Sequence, residues 1–97
     1  MNYELIFSPD AQADLDDIEL YLALRFSERN AAVYVQRIVA KCRSLALAPY
    51  RGTQRDDVRP GLRTTGFERR VTILFQIQPG KVIVLGIFYG GRSLFTP

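Results

Sequence analysis

The residues of this chain that are best suited to chemistry are arginines in its second half. Arg59, Arg63, Arg70 and Arg92 lie where strand-like segments begin or end. A guanidinium group presents a planar fork of N–H donors, which binds phosphate or carboxylate through two parallel hydrogen bonds. We therefore expect Arg63, Arg70 and Arg92 to converge on one side of a sheet, and all four arginines to contact a target.

Charge is divided unevenly along the chain. Residues 1–48 contain five basic and seven acidic residues, whereas residues 49–97 contain eight basic and three acidic ones, so the net charges of the two halves are −2 and +5. Seven of the eight basic residues in the second half are arginine. This distribution favours an anionic macromolecular partner. For any single arginine, solvation of an open sheet face explains its presence equally well.

The first half of the chain predicts one strand and two helices. Residues 2–7 have the composition of a short strand, and Ser8-Pro9 supplies an N-cap and a proline at the first helical position. The helix that follows ends near Phe26, and its acidic face is interpreted as solvated surface rather than a metal site. Ser27 or Asn30 caps a second helix that runs to about Ala48. The apolar stripes of the two helices consist of Ala11, Leu15, Ile18 and Leu22, and of Tyr34, Val35, Ile38, Val39, Cys42, Leu45 and Ala46.

The second half predicts a loop and three strands. Residues 50–61 lack periodicity and are predicted to form the loop, followed by a strand over 62–65 and a turn or bulge at Gly66. Residues 70–77 alternate, with Val71, Ile73, Phe75 and Ile77 on one face. Gln78-Pro79-Gly80-Lys81 predicts a type II turn, and the apolar run over 82–88 predicts a central strand covered on both sides.

Together these elements predict one α+β domain over residues 1–97. Their order is β-α-α-β-β-β, with a helical hairpin packed on a small antiparallel sheet. A chain of 97 residues is long enough for one modest core.

Composition excludes several classes of reaction. The chain has no histidine, which removes Ser-His-Asp, Cys-His and histidine-base catalysis. Cys42 is the only cysteine and lies on an apolar stripe, so we expect a buried thiol and no internal disulfide. No metal-ligand spacing is present, and neither a metal nor another cofactor is expected. Without a signal peptide or a membrane-length apolar run, the expected location is the cytoplasm.

The order of elements, in a chain of this length, resembles the RelE/ParE superfamily of toxins from bacterial type II toxin–antitoxin systems. The resemblance spans essentially the whole chain, and the ParE branch is the most similar. The agreeing positions are Ser8-Pro9, Ala11, Asp14-Leu15 and Ile18, Tyr34 and Ile38, Leu45 before Pro49, Arg59-Pro60-Gly61-Leu62-Arg63, and the last strand running into Gly90-Gly91-Arg92.

This resemblance implies a growth-inhibiting toxin, of the kind that stabilises plasmids, held inactive by a cognate antitoxin of the ParD type or a similar one. ParE-like members inhibit DNA gyrase and stall replication, whereas RelE-like members cut messenger RNA on the ribosome. The ParE-like function is the favoured interpretation. The alternatives are the RelE-like endonuclease and an inactive interaction module of the same fold.

The two activities require different residues. RNA cleavage by a 2′-hydroxyl needs a proton acceptor, a proton donor and cations on the phosphorane. If the chain were a ribonuclease, Tyr89, Arg63, Arg70 and Arg92 would supply these groups, although tyrosine is a weak base at neutral pH. Under the favoured interpretation no residue is catalytic, and Arg59, Arg63, Arg70 and Arg92 bind the target. The apolar pair Leu94 and Phe95 either folds back onto the helical hairpin or is covered by a partner, and we expect the antitoxin to be that partner.

Overall fold

The computed structural model of the protein describes residues 3–90. Two helices and five strands follow one another along this part of the chain, and neither helix is long and apolar enough to cross a membrane. In chain order the elements are β1 (Glu4–Phe7), α1 (Pro9–Arg25), α2 (Glu28–Leu47), β2 (Thr53–Gln54), β3 (Leu62–Phe67), β4 (Val71–Gln78) and β5 (Lys81–Tyr89).

Both helices begin at the serines that the sequence indicates. The Ser8 hydroxyl oxygen accepts a hydrogen bond from the backbone N–H of Ala11 (3.1 Å), and Pro9 occupies the first turn, where its missing N–H costs nothing. Ser27, rather than Asn30, caps α2, because its hydroxyl accepts from the backbone N–H of Asn30 (3.0 Å). The predicted starts of the two helices are therefore confirmed.

The strands form one sheet in the order β1-β5-β4-β3-β2. All neighbouring strands are antiparallel except β1, which runs parallel to β5 with Glu4 opposite Lys81. A parallel pair needs a long connection, and here the helices and the other strands supply it. The predicted fold class is confirmed, while the sheet is mixed rather than wholly antiparallel.

The segment over residues 50–61, predicted to be a loop throughout, contains the short strand β2. Thr53 pairs with Thr64, and Gln54 pairs with Arg63, at the edge of the sheet. A strand of two residues is too short for alternation to reveal it. β2 therefore extends the sheet beyond β3 and places the 50–61 segment alongside Arg63.

The turn between β3 and β4 lies two residues later than predicted. β3 continues through Gly66 to Phe67, and the turn is formed by Glu68 and Arg69, whose φ angles are 52° and 62°. Phe67 pairs with Val71, so three residues connect the strands, and the positive φ of Glu68 and Arg69 is a conformation that favours glycine or asparagine. Glu68 is held by an ion pair with Arg37 of α2. The prediction of a turn at Gly66 was wrong because the turn is formed by glutamate and arginine, which are not residue types typical of a turn with positive φ.

The turn between β4 and β5 is the predicted one. Pro79 and Gly80 occupy its two central positions, and Gly80 has a φ of 71°, which a type II turn requires at that place. β5 lies between β1 and β4, so its central position is also confirmed. Ile83 and Phe88 remain partly exposed on the face away from the helices, and the described residues therefore cover only one face of β5 fully.

The core lies between the two helices and one face of the sheet. The predicted stripe of α1 is fully buried, and Cys42 and its neighbours on α2 face the same core. Burial raises the pKa of the Cys42 thiol to about 12, as expected for a packing residue. The contiguous core cluster consists of Ala11, Leu15, Ile18, Leu22, Ala31, Val35, Ile38, Cys42, Leu45, Val71, Ile73, Phe75, Val82, Val84 and Ile87.

β5 contains a bulge that changes which of its residues face the core. Phe75 pairs with Val84 and Leu74 pairs with Gly86, so Leu85 is an extra residue between them. Val82 and Val84 face the helices before the bulge, whereas Ile87 and Tyr89 face them after it, because the bulge shifts the alternation by one position.

Helix α1 and its N-cap residue hold this bulge through two side chains. The carboxylate of Asp14 accepts a hydrogen bond from the backbone N–H of Ile87 (2.9 Å), and the Ser8 hydroxyl donates to the carbonyl of Leu85 (3.2 Å). Asp14 is half-buried, so the interpretation of the whole acidic face of α1 as solvated surface was wrong at this residue.

Candidate functional site

Aromatic rings gather where the C-terminal half of α1 meets the last residues of β5. The ring of Tyr89 lies 5.8 Å from that of Tyr21 and 6.1 Å from that of Tyr34, with the second pair edge to face. Tyr34 also contacts Phe67 of β3, with 6.0 Å between ring centroids. We call these four residues the aromatic cluster. Separations of this size are favourable for ring pairs, and Tyr89 and Tyr34 join the two helices to the sheet.

The β5 bulge is what places Tyr89 in this cluster. Tyr89 is paired with Val71, a core residue of β4, and both therefore face the helices. Without the extra residue Leu85, alternation would turn Tyr89 to the opposite face. The backbone N–H of Gly90 then donates to the carbonyl of Arg70 (2.8 Å), which holds the start of β4 beside the end of β5.

Three arginines surround the aromatic cluster. Arg25 lies over the ring of Tyr21 (4.7 Å from guanidinium carbon to centroid), and Arg37 lies over Phe67 (5.6 Å). Arg37 also forms the ion pair with Glu68. Arg70 has no carboxylate within salt-bridge distance among residues 3–90. Arg25 and Arg70 are thus the cations of this region whose charge is available to a ligand.

Two adjoining cavities open beside Arg70 and Tyr89. The larger, about 600 Å³, lies against α1, and we call it the α1 cavity. The smaller, about 270 Å³, we call the Tyr34 cavity. Phe26, Arg70 and Tyr89 line both. The α1 cavity is also lined by Asp17, Ile18, Tyr21, Arg25 and Gly90, and the Tyr34 cavity by Leu22, Asn30, Tyr34 and Glu68.

The side chain of Tyr34 buries a polar group in this region. Its oxygen is buried and has no hydrogen-bond partner within the described part of the chain. Burial raises the pKa of Tyr34, with a smaller contribution from Tyr89, while Arg37 and Arg70 oppose the shift. The hydroxyl therefore stays protonated at neutral pH and can donate a hydrogen bond.

Of the predicted site residues that lie within residues 3–90, the structure brings Arg70 and Tyr89 together and leaves Arg59 and Arg63 apart from them. Arg63 donates from its guanidinium to the carbonyl of Arg51 (3.0 Å) and lies 5.4 Å from the centroid of Tyr50. Along β3 it precedes Phe67 by four residues, about 13 Å at the usual rise of a strand, and Phe67 adjoins the turn before Arg70. The expected convergence of Arg63 with Arg70 is therefore wrong, because they occupy opposite ends of the β3–β4 hairpin.

The remaining predicted residues lie elsewhere. Arg59 is exposed in the segment between β2 and β3, where its backbone N–H donates to the carbonyl of Arg55 (3.2 Å). Arg92, Leu94 and Phe95 lie outside the described residues. Among residues 3–90, no three carboxylate or thiol side chains are grouped as a metal ion requires.

Sequence reasoning missed the residues that α1 contributes. Tyr21 and Arg25 are four positions apart, so they share one side of the helix next to the buried stripe of Ile18 and Leu22. The sequence shows this spacing, but a pair of residues on a helix surface indicates a binding site only when the element that faces it is known. With Arg70 and Tyr89 opposite them, these residues form a site able to bind an anion beside an apolar group.

Comparison with known proteins identifies the family. A model described as the ParE toxin of the type II toxin–antitoxin system parDE matches residues 5–94. No curated protein sequence matches the chain significantly. Among solved structures, the chromosomal ParDE toxin–antitoxin system from P. aeruginosa is similar with a TM-score of 0.79 and 27% identity, covering 91% of this chain and 96% of that one.

A second solved structure shares the fold. The toxin–antitoxin complex RelBE2 from Mycobacterium tuberculosis is similar with a TM-score of 0.59 and 17% identity, covering 92% of this chain and 99% of that one. At this identity the likeness shows the fold alone. The family match extends over nearly all of the sequence, and the two helices on a mixed sheet agree with it. This chain therefore belongs to the ParE family of toxins from type II toxin–antitoxin systems.

Proposed function

We propose that this toxin inhibits DNA gyrase and so blocks replication, and that a cognate antitoxin keeps it inactive in the cytoplasm. The main support is the ParE family match over residues 5–94. The similar P. aeruginosa structure is a ParDE toxin–antitoxin system, which supports an antitoxin of the ParD type as the partner of this chain.

The surroundings of Tyr89 favour binding over RNA cleavage. A ribonuclease acting through the 2′-hydroxyl needs a base, an acid and several cations around one phosphate. Of the predicted cations within the described residues, Arg70 lines a cavity with Tyr89, whereas Arg63 faces the carbonyl of Arg51. The sequence offers no histidine as an alternative base. We infer that the toxin acts by binding its target rather than by catalysis.

Arg59 and Arg63 are the described residues outside the two cavities that we propose for target contact. Arg59 is exposed, and Arg63 lies beside Tyr50, which is 68% exposed. Arginine and tyrosine are enriched where protein partners bind most tightly. Arg70 and Arg92 stay in the proposed target-binding set, and Leu94 and Phe95 in the proposed antitoxin-binding set.

Expression of the toxin alone tests this proposal. DNA, RNA and protein synthesis are followed with labelled precursors after induction, and purified toxin is added to a gyrase supercoiling assay. We expect DNA synthesis to stop first, supercoiling to fail, and growth to recover when the neighbouring reading frame is co-expressed. Early arrest of translation with cleaved transcripts would instead identify a messenger-RNA endonuclease. Normal growth with intact supercoiling would identify an inactive interaction module.

A further inference from the structure

The α1 cavity has the composition of a binding site for one negative charge next to an apolar group. Its walls include Ile18, Tyr21 and Tyr89, and its charged groups are two guanidiniums, Arg25 and Arg70, and one carboxylate, Asp17. The cavity therefore carries one net positive charge. Arg25 is already held over the ring of Tyr21, so ordering its side chain costs less when a ligand binds.

The helix beside the cavity argues against nucleic acid as the ligand. α1 contains five acidic residues and one basic residue, a net charge of −4. A nucleic acid carries one negative charge per nucleotide, so its neighbouring phosphates would be repelled by this helix. A single carboxylate on a polypeptide avoids that repulsion, because the residues around it can be neutral or basic.

The exposed surface next to the cavity also indicates a polypeptide. Leu24 and Phe26, at the C-terminal end of α1, are 80% and 68% exposed, and Leu20 is 61% exposed one turn earlier. Tyr21 and Phe26 continue this surface into the α1 cavity. Large apolar side chains gathered at one end of a helix mark a protein contact.

We propose that the α1 cavity is the site where the antitoxin inserts one acidic side chain, flanked by an aliphatic or aromatic residue that packs against the end of α1. The carboxylate binds Arg70 and Arg25, and the apolar neighbour covers Leu24 and Phe26. That this partner is the antitoxin rests on the proposed function.

Two variants and one matched control test the site. Arg70→Gln and Arg25→Gln remove a guanidinium each, whereas Arg43→Gln removes an exposed arginine of α2 that lines neither cavity. Affinity for the protein encoded by the neighbouring reading frame is measured by calorimetry, after circular dichroism has shown that each variant folds. We expect about a tenfold or greater loss for Arg70→Gln, since charge-assisted hydrogen bonds are the strong ones, and less than about a twofold change for Arg43→Gln.

The outcomes separate this inference from the proposed function. If the neighbouring protein fails to bind the unaltered toxin, the proposed antitoxin partnership is wrong. If it binds the unaltered toxin and both cavity variants equally well, the carboxylate site is wrong while the partnership stands.

A second measurement uses small probes in place of the antitoxin. ¹⁵N-labelled toxin is titrated with 3-phenylpropionate, 3-phenylpropanamide and phenyl phosphate. We expect the carboxylate to shift the resonances of Tyr21, Arg70 and Tyr89 and to bind about ten times more tightly than the amide. Equal binding of carboxylate and amide would overturn the proposed charge recognition. Tighter binding of phenyl phosphate would overturn it in favour of a phosphate ligand.

Discussion

Replacing Asp14 by alanine should lower the free energy of unfolding, because this carboxylate accepts a hydrogen bond from the backbone of β5 next to its bulge. Its oxygen lies 2.9 Å from the backbone nitrogen of Ile87, and both groups are at least half-buried. Leaving a buried N–H without a partner costs about 1–3 kcal/mol. We take about 2 kcal/mol for this partly buried site, which lowers the Tm of a domain of this size by about 8–16 °C.

Asp14→Asn separates the hydrogen bond from the charge. The amide oxygen of asparagine can accept the same bond, so its loss of stability should stay below about 1 kcal/mol. Asp16→Ala removes an exposed carboxylate from the same helix and should change stability by less than about 0.5 kcal/mol.

Urea unfolding and thermal scans of these three variants decide the question. The NMR contact between the rings of Tyr21 and Tyr89 reports whether the end of β5 still faces the helices. If Asp14→Ala is as stable as Asp16→Ala and keeps that contact, the bulge does not depend on Asp14 and our reasoning is refuted.

Three further predictions concern single side chains. The Cys42 thiol, whose pKa burial raises to about 12, should resist alkylation at pH 8 until the protein is denatured. The folded pKa of this thiol exceeds the unfolded value of about 8.5, so its contribution to stability is complete below pH 8.5 and is lost as the pH rises towards 12. The free energy of unfolding in urea should therefore fall less at alkaline pH in Cys42→Ala than in the unaltered protein. Tyr34→Phe removes a buried hydroxyl that has no hydrogen-bond partner within residues 3–90, and it should leave the free energy of unfolding unchanged or raise it by about 1 kcal/mol. A decrease of more than about 1 kcal/mol in urea unfolding would show that the hydroxyl has a partner. Arg63→Ala and Arg92→Ala should each lessen growth inhibition while circular dichroism stays normal, and unchanged toxicity in both would contradict their assignment to target binding.

The elements that the sequence predicts correctly are those specified by local chemistry. Ser8 with Pro9, and Ser27, begin the two helices because their hydroxyls satisfy backbone N–H groups within the same turn. Pro79 and Gly80 specify their turn locally, because the proline ring fixes the φ angle of Pro79 and Gly80 can adopt a positive φ. None of these features depends on a distant part of the chain, so a short stretch of sequence is enough to predict each helix start and the turn.

Errors arise where a distant residue determines the local structure. Gly66 looks like a turn but continues β3, since six pairs with β4 run through it from Leu62 to Phe67. The turn falls instead on Glu68 and Arg69, both with positive φ, and Glu68 is held there by an ion pair with Arg37. An ion pair between residues 31 positions apart cannot be read from a short window.

The candidate site depends on a distant cause of the same kind, and this explains why arginine spacing alone neither separated Arg63 from Arg70 nor revealed the part played by α1. Tyr89 faces the helices only because Leu85 is an extra residue in β5, and Gly86 was the single sign of a bulge in that apolar run. The bulge is held by Asp14, 73 residues away from Ile87. The sequence evidence for the family comes from many positions, so an error at one position does not change the assignment. By contrast, one inserted residue changes the side of the sheet that Tyr89 faces. A member of this fold without the bulge would turn Phe88 towards the helices in place of Ile87 and Tyr89. It would keep the order of its helices and strands but lose Tyr89 from the α1 cavity, so we expect partner recognition to vary more readily than the fold itself.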